Sequence, residues 1–164
     1  MEMKVELGRA ELVTEGPFAG WRGWGGVDPY EVHAGPFYYR QDDDGQGVRC
    51  AFIAEHRHLN AGGIVHGGCL MSFADMSLFA VAFGEVGPFH GVTLTLNAEF
   101  TAPGQLGDRL EATGQVVRAG GSIIFVRGEI RRQTGEVCLA FSGIIKRLKQ
   151  RIQAESDRQP LESQ

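Results

Sequence analysis

The residues best suited to chemistry lie in one stretch, HLNAGGIVHGGCLMSFADMSLFAVAF, which runs from His58 to Phe83. It begins as a polar, glycine-rich loop and becomes almost wholly apolar, with Asp75 as its one carboxylate. An ionised carboxylate is costly to bury unless it is paired or its pKa shifts. Asp75 is therefore either a structural residue held by neighbouring hydroxyls or a general base or nucleophile.

Two glycines, Gly67 and Gly68, follow His66 where the loop gives way to the apolar run. The first N–H groups of a helix lack partners, and glycine has no Cβ to shield them from a ligand. With the helix dipole, such N–H groups suit a carbonyl that becomes an oxyanion. The alternative interpretation is that the glycines only permit a sharp turn into a crowded helix.

The spacing between these two features carries a geometric consequence. Asp75 lies eight residues after Gly67, which corresponds to roughly 12 Å along a helix axis. A carboxylate side chain cannot close that gap to reach a carbonyl held at the helix start. If both residues serve one reaction centre, they must come from two copies of the chain, and the active site is dimeric.

The element that must position these residues is a helix over residues 69–83. It is apolar on nearly every face, which is typical of a buried helix. Fifteen residues would span roughly 22 Å, which is short of a bilayer core. The pattern therefore predicts a core helix of a globular domain.

Strand patterns flank this helix on both sides. They cover residues 36–40, 48–55, 91–101, 110–118, 123–132 and 137–148. Residues 91–101 alternate most regularly, which places Val92, Leu94 and Leu96 on one face and Thr93 on the other. Because tight turns join the strands, we expect antiparallel pairing. The prediction is an α+β fold in which an antiparallel β-sheet wraps around one long central helix.

The chain divides into three parts. We expect residues 1–35 to form an irregular N-terminal extension, residues 36–148 a single domain and residues 149–164 a polar C-terminal tail. Within the extension, Asp28 followed by Pro29 predicts a short helical turn, with Asp28 as its N-cap.

Composition excludes several classes of function. A net charge of −4 argues against a general nucleic-acid or membrane-surface role. Cys50, Cys69 and Cys138 are an odd number at irregular spacing, and we interpret them as buried free thiols in a reducing compartment. The N-terminus carries no apolar leader, so a cytoplasmic location is predicted.

The string HLNAGGIVHGGCLMSFAD resembles the signature of hotdog-fold acyl-CoA thioesterases of the phenylacetate-pathway (PaaI) type. The shared pattern is an Asn, a short spacer, His-Gly-Gly, and an Asp eight residues after the first glycine of the pair. The similarity covers residues 36–148. It implies the hotdog fold and hydrolysis of an acyl-CoA thioester to free acid and coenzyme A. It also implies a homodimer, paired into a dimer of dimers, with no metal and no cofactor beyond the coenzyme A of the substrate.

The resemblance implies catalytic roles for four residues. Gly67 matches the residue whose backbone N–H polarises the thioester carbonyl, and Asn60 matches the side chain that assists. Asp75 matches the acidic residue that the opposing subunit supplies as nucleophile or general base. Thr93 matches a Ser or Thr that positions the attacking water or the acid.

Substrate-binding roles follow from the same resemblance. His66 matches a residue that orients the loop beside Gly68. The turn that contains Gly120 and Ser122 lies where relatives let the nucleotide end of coenzyme A rest. Candidates for the cationic groups that the phosphates need are Arg118, Arg147 and Lys149.

Several alternatives remain open. His56, His58 and His66 could bind a metal, although no carboxylate or Cys completes the set at sensible spacing. Ser72 could be a nucleophile, but it lies within the predicted helix and not on a Gly-x-Ser-x-Gly elbow. A hydratase or dehydratase is a further alternative, although its signatures are not seen. A non-catalytic acyl-CoA-binding module would not need Asp75. The sequence does not identify the acyl group.

Overall fold

The computed structural model describes residues 10–149. The strands within that range are β1 Glu11–Leu12, β2 Arg22–Gly23, β3 Tyr38–Gln41, β4 Val48–Ile53, β5 Gly91–Phe100, β6 Arg109–Ala119, β7 Ile123–Arg132 and β8 Val137–Arg147. The α-helices are α1 Pro29–Ala34 and α2 Gly67–Val86. The strands form one sheet in the order β1-β2-β3-β4-β6-β7-β8-β5, with every pairing antiparallel. The predicted α+β fold is confirmed.

Helix α2 is the centre of the fold. It contacts β3 to β8, and its residues Phe73, Ala74 and Leu78 are fully buried against the sheet. Its 20 residues span roughly 30 Å, so the predicted helix of residues 69–83 was too short. Although α2 is long and apolar enough to cross a membrane by length and composition, these contacts make it the core helix of the domain.

The predicted alternation of residues 91–101 is wrong near the start of β5. The register of β5 against β8 shifts between Thr93 and Thr95, so that Leu94 is an extra residue. A β-bulge of this kind reverses the faces on either side of it, because side chains alternate with a period of two. Thr93 therefore lies on the same side of the sheet as Leu96, which packs against the core.

Residues 10–35 are more regular than predicted. Strands β1 and β2 extend the sheet beyond β3, and Phe18 and Trp21 pack on Ala51 in a small second core. Asp28 caps α1 as predicted, since its Oδ1 accepts the N–H groups of Tyr30 and Glu31 at 3.0 and 3.1 Å. This segment is therefore part of the domain. The rest of the predicted extension and all of the predicted tail except Lys149 lie outside the described residues.

The three cysteines are free thiols. Cys50 and Cys138 are fully buried, whereas Cys69 is only partly so. Burial raises the pKa of Cys50 to about 12 and that of Cys69 to about 11. Both thiols therefore stay protonated and poorly reactive near neutral pH.

The close approach of α2 to β8 depends on Gly143. A Cβ at this position would meet the Leu78 side chain and lie 2.9 Å from the carbonyl oxygen of Thr95. We therefore expect Gly143→Ala to lower the free energy of unfolding by about 1–3 kcal/mol, as overpacked cores do. Urea denaturation measures this change. Gly121→Ala is the control, because a Cβ there meets nothing within 4 Å; equal destabilisation by both variants would contradict the prediction.

Candidate active site

Asp75 and Thr93 form a direct hydrogen bond between α2 and β5. The hydroxyl of Thr93 donates to Oδ1 of Asp75 at 2.6 Å. The bulge at Leu94 makes this contact possible, because it turns Thr93 toward the helix. Within residues 10–149, Thr93 is the one side chain that donates to this carboxylate, which leaves Oδ2 open to a ligand. The structure thus brings together two of the predicted residues.

The start of α2 offers one backbone N–H to a ligand. His66 is the N-cap, and its Nδ1 accepts the N–H of Gly68 at 2.8 Å. The N–H of Gly67 has no hydrogen-bond partner among the described residues. A Cβ on Gly67 would lie 3.3 Å from the ring of Phe100. Gly67 rather than Gly68 therefore has the free N–H donor. Nδ1 of His66, which accepts the N–H of Gly68, fixes the loop at the start of the helix.

Asn60 lies in the tight turn that precedes the helix. Its Oδ1 accepts the N–H groups of Gly62 and Ile64 at 2.8 and 3.4 Å. Because this oxygen is used inside the turn, the Nδ2 amide group is left as a donor. The backbone N–H of Asn60 also donates to the carbonyl of Ile64 at 2.8 Å. The turn is therefore closed, and the chain returns to Gly67 three residues later.

A cavity of about 360 Å³ lies between residues 24–31 and α2. Asp75 lies in its wall, together with an apolar lining that is mostly aromatic: Trp24, Phe37, Met76, Phe79 and Phe83. Trp24 is held there by stacking on Tyr39, with ring centroids 4.4 Å apart. The cavity is large enough for a small organic group and has an ionisable side chain at its edge.

Glu31 is a candidate functional residue that sequence reasoning missed. It lines the same cavity as Asp75, and its Oε2 is buried without a hydrogen-bond partner in the described structure. Burial, followed by the negative charges of Asp28 and Asp75, raises the pKa of Glu31 to about 7. The sequence predicted the helix that carries Glu31, but no residue pattern indicated that this helix packs onto α2.

Tyr30 links α1 to α2 through Ser72. The Oγ of Ser72 donates to the carbonyl of Gly68 at 2.8 Å, so the Tyr30 hydroxyl, 2.9 Å away, is the donor in their contact. Ser72 therefore bridges two elements, and the structure places no histidine against it as a base.

His58 is occupied by structural contacts. Its Nδ1 accepts the N–H of Glu55 at 2.9 Å, and its Nε2 lies 3.1 Å from the carbonyl oxygen of Gly35. The side chain is also buried against Phe52. With both nitrogens engaged, His58 is unsuited to bind a metal together with His56 and His66.

Some of the predicted coenzyme A contacts share a basic cleft of about 610 Å³ at the end of the sheet. It is lined by Phe89, Ser122, Lys146, Arg147 and Lys149, among others. The guanidinium of Arg147 lies 5.5 Å from the ring centroid of Phe89. Phe89 in turn packs on Phe83 at 4.7 Å, so the cleft adjoins the Asp75 cavity. Sequence reasoning missed Lys146.

Arg118 and Gly120 do not line this cleft. Arg118 lies beside Phe125 in a separate groove, on the face of the sheet away from α2. Gly120 closes the β6–β7 turn by donating its N–H to the carbonyl of Ile123 at 2.8 Å. Within one chain the structure therefore separates Arg118 from Ser122.

Comparison with known proteins shows relatives both by sequence and by structure. The sequence profile of the thioesterase superfamily matches residues 62–139. The Pseudomonas aeruginosa protein PA0474, named as an esterase, is 36% identical over 107 residues, which are 65% of this chain and 78% of that protein. Human acyl-coenzyme A thioesterase 13 is 29% identical over 92 residues, 55% of this chain and 65% of that protein. The E. coli PaaI protein from the phenylacetic acid degradation operon superposes with a TM-score of 0.67 at 25% identity, covering 76% of this chain and 87% of that one.

The chain belongs to the thioesterase superfamily. The predicted hotdog fold is confirmed, as is the resemblance to PaaI-type thioesterases. Family membership favours thioester hydrolysis over the hydratase alternative and over a non-catalytic binding module. The residues matched by the profile include Gly67 and Asp75 but not residues 24–31 of the cavity wall.

The raised pKa of Glu31 predicts a pH-dependent effect on stability. A folded-state pKa of about 7 against about 4.5 in the unfolded chain means that stability falls as pH rises from 4.5 to 7. Glu31→Gln removes this penalty. Relative to wild type, we expect the free energy of unfolding of this variant to increase by about 1–2 kcal/mol between pH 4 and pH 8, after allowance for partial exposure.

Denaturant titrations at both pH values measure this difference. Glu85→Gln, at an exposed position on α2, is the matched control and should show no such gain. A Glu31→Gln difference that stays constant between pH 4 and pH 8 would contradict the prediction.

Proposed function

We propose that this protein hydrolyses an acyl-CoA thioester to a free acid and coenzyme A. The observation that carries the proposal is the Asp75–Thr93 pair at an apolar cavity, on the same helix that begins with the unpartnered N–H of Gly67. Acyl-CoA as the substrate is supported by the name of the human relative and by the basic cleft that adjoins the cavity. The substrate itself supplies the coenzyme A, and the reaction as proposed needs no metal.

The N–H of Gly67 and the Nδ2 group of Asn60 bind the thioester carbonyl oxygen. Both are free donors in the described structure, and they would stabilise the negative charge that forms on this oxygen. Their position at a helix start adds the favourable end of the helix dipole. This arrangement lowers the barrier to attack on the carbonyl carbon.

Asp75 acts as general base or as nucleophile. As a base, its Oδ2 takes a proton from water while the water oxygen bonds to the carbonyl carbon. The C–S bond of the tetrahedral intermediate then breaks, and the thiolate of coenzyme A receives the proton. As a nucleophile, Asp75 displaces the thiolate to form a mixed anhydride, which water hydrolyses. In either route Thr93 fixes the carboxylate by bonding to Oδ1.

The catalytic groups come from two chains. Asp75 and Gly67 are eight residues apart on one helix, or roughly 12 Å, so one copy cannot place both on one carbonyl. Strand β5 offers a surface for a second copy, since it is the last strand of the sheet and has exposed apolar side chains: Val92 44%, Leu94 51% and Phe100 55%. Exposed apolar edge strands are prone to pair with another chain.

The two ends of β5 support this assignment. Thr93, near one end, contacts Asp75, and Phe100, at the other end, lies beside Gly67. If two β5 strands pair antiparallel around a two-fold axis near their middles, Thr93 of one chain approaches Phe100 of the other. Asp75 is then brought toward the partner's Gly67. The same dimer contains two equivalent sites.

Coenzyme A would bind along the basic cleft. Lys146, Arg147 and Lys149 provide positive charge for its phosphates, as phosphate groups require. Ser122 and the ring of Phe89 complete this surface. Arg118 lies on the other face of the same sheet, where it could reach the coenzyme A of a site only in the assembled oligomer.

Replacement of Asp75 tests the chemical role. We expect Asp75→Asn to lower kcat by about 100-fold or more, because the amide can neither accept the proton nor attack. Release of coenzyme A thiol from a panel of aromatic, short, medium and long acyl-CoA esters measures the rate. Circular dichroism and denaturation check that the variant folds, and retained activity in a folded variant would contradict the proposal.

Mixed dimers test the shared site. Gly67→Val blocks the carbonyl site with a side chain that meets Phe100, and Asp75→Asn removes the base. A mixed dimer of these variants has one intact site, formed by the Asp75 of one chain and the Gly67 of the other. With random mixing we expect about a quarter of wild-type activity from two nearly inactive parents. If both residues served one chain, mixing would restore nothing.

A further inference from the structure

The cavity beside Asp75 contains a polar atom that the described residues do not satisfy. Oε2 of Glu31 is buried and without a hydrogen-bond partner, although the walls around it are largely aromatic. Buried oxygens of this kind are uncommon and cost free energy of folding. Above the Glu31 pKa of about 7 this carboxylate is ionised, and its oxygens can then only accept hydrogen bonds. What this position lacks is therefore a donor.

The position of Glu31 places that missing donor in the bound substrate. Asp75 and Glu31 line the same cavity, and the negative charge of Asp75 adds to burial and to the charge of Asp28 in raising the pKa of Glu31. A thioester whose carbonyl is attacked at Asp75 directs its acyl group into the space between α1 and α2. The aromatic rings of Trp24, Phe79 and Phe83 would enclose the apolar part of that group, and Glu31 would lie against its polar part.

We propose that Glu31 is a specificity-determining residue that selects acyl groups carrying a hydrogen-bond donor where they enter this cavity. The inference rests on the proposed function, because the cavity receives the acyl group only if the thioester carbonyl lies beside Asp75. The selecting residue comes from a segment that the superfamily profile does not cover. The residue that selects the acyl group therefore precedes the stretch from His58 to Phe83 that carries Gly67 and Asp75.

Selection arises because binding that leaves the Glu31 carboxylate desolvated and unpaired costs free energy. An acyl group with a donor pairs Oε2 and makes a hydrogen bond to a charged group, which is stronger than a neutral one. A purely hydrocarbon group of the same shape removes water from Glu31 and leaves the oxygen unpaired. A site that contains an acceptor discriminates in this way against analogues that lack the donor.

Other contacts keep Glu31 in place without satisfying it. The N–H of Glu31 donates to Oδ1 of Asp28, and the Tyr30 hydroxyl bonds to Ser72 on α2. The carbonyl of Glu31 accepts the N–H of Gly35 at 2.8 Å. The backbone on both sides is therefore fixed, which lowers the entropy that Glu31 loses when it binds a donor.

The test is a matched set of 3-phenylpropanoyl-CoA esters with a hydroxyl or a methyl group at the meta or para position of the ring. At pH 8, above the pKa of Glu31, we expect wild type to favour the better hydroxyl ester over its methyl counterpart by about 10-fold or more in kcat/KM. Glu31→Leu should reduce that ratio by about 10-fold. Glu31→Gln, which keeps the size of the side chain and one acceptor oxygen, should give an intermediate ratio.

Glu85→Gln on the exposed part of α2 is the control and should keep the wild-type ratio. A ratio that is the same in wild type and in both Glu31 variants overturns the inference, as does a wild-type preference for the methyl esters. Because Glu31→Gln changes few atoms, it keeps the test decisive if Glu31→Leu does not fold.

Binding measurements separate this inference from the proposed function. Coenzyme A thioethers with the same rings, in which a methylene replaces the carbonyl, cannot be hydrolysed, and calorimetry gives their Kd. If wild type prefers the hydroxyl thioethers, Glu31→Leu loses that preference and none of the esters is hydrolysed, selection by Glu31 is supported and the proposed function fails. If the esters are hydrolysed with no preference in either experiment, Glu31 does not select the acyl group.

Discussion

A single carboxylate inside an apolar helix constrains much of this structure. Helix α2 is buried against the sheet over most of its length, and Asp75 would be costly there without a hydrogen-bond donor. Thr93 provides that donor at 2.6 Å. It can do so only because the bulge at Leu94 turns it toward the helix. A small irregularity in β5 therefore allows a reactive group to occupy the core helix.

The segment before β3 completes the site in a different way. It adds two strands to the sheet, packs Trp24 over Tyr39 and connects α1 to α2 through the hydrogen bond between Tyr30 and Ser72. This closes an aromatic cavity over Asp75 and puts the poorly solvated Glu31 in its wall. Glu31 costs stability in this poorly solvated position. Such local costs are typical of functional sites, where a well-folded scaffold compensates for them elsewhere.

Much of the architecture could be predicted from local patterns. Apart from the start of β5 and the ends of α2, the period-two strands, the apolar run of α2 and the Asp28 cap of α1 formed as expected, because alternation, burial and capping depend on neighbouring residues. The pairing of β5 as a sheet edge and the bulge at Leu94 were not predictable in this way. A bulge is a local shift in the register between two strands, so it cannot be read from the sequence of either strand alone.

The sequence by itself determined which residues could react: a glycine pair at a helix start, a carboxylate eight residues later, and a spacing too long for one chain to bridge. It determined these because helix geometry converts sequence separation directly into distance. Only the tertiary structure decided that Thr93 bonds to Asp75, that the N–H of Gly67 rather than Gly68 is free, and that Glu31 shares the cavity. The first and third depend on contacts between segments far apart in the chain, which local patterns do not encode. The second depends on the side-chain conformation of His66, which turns back to accept the N–H of Gly68.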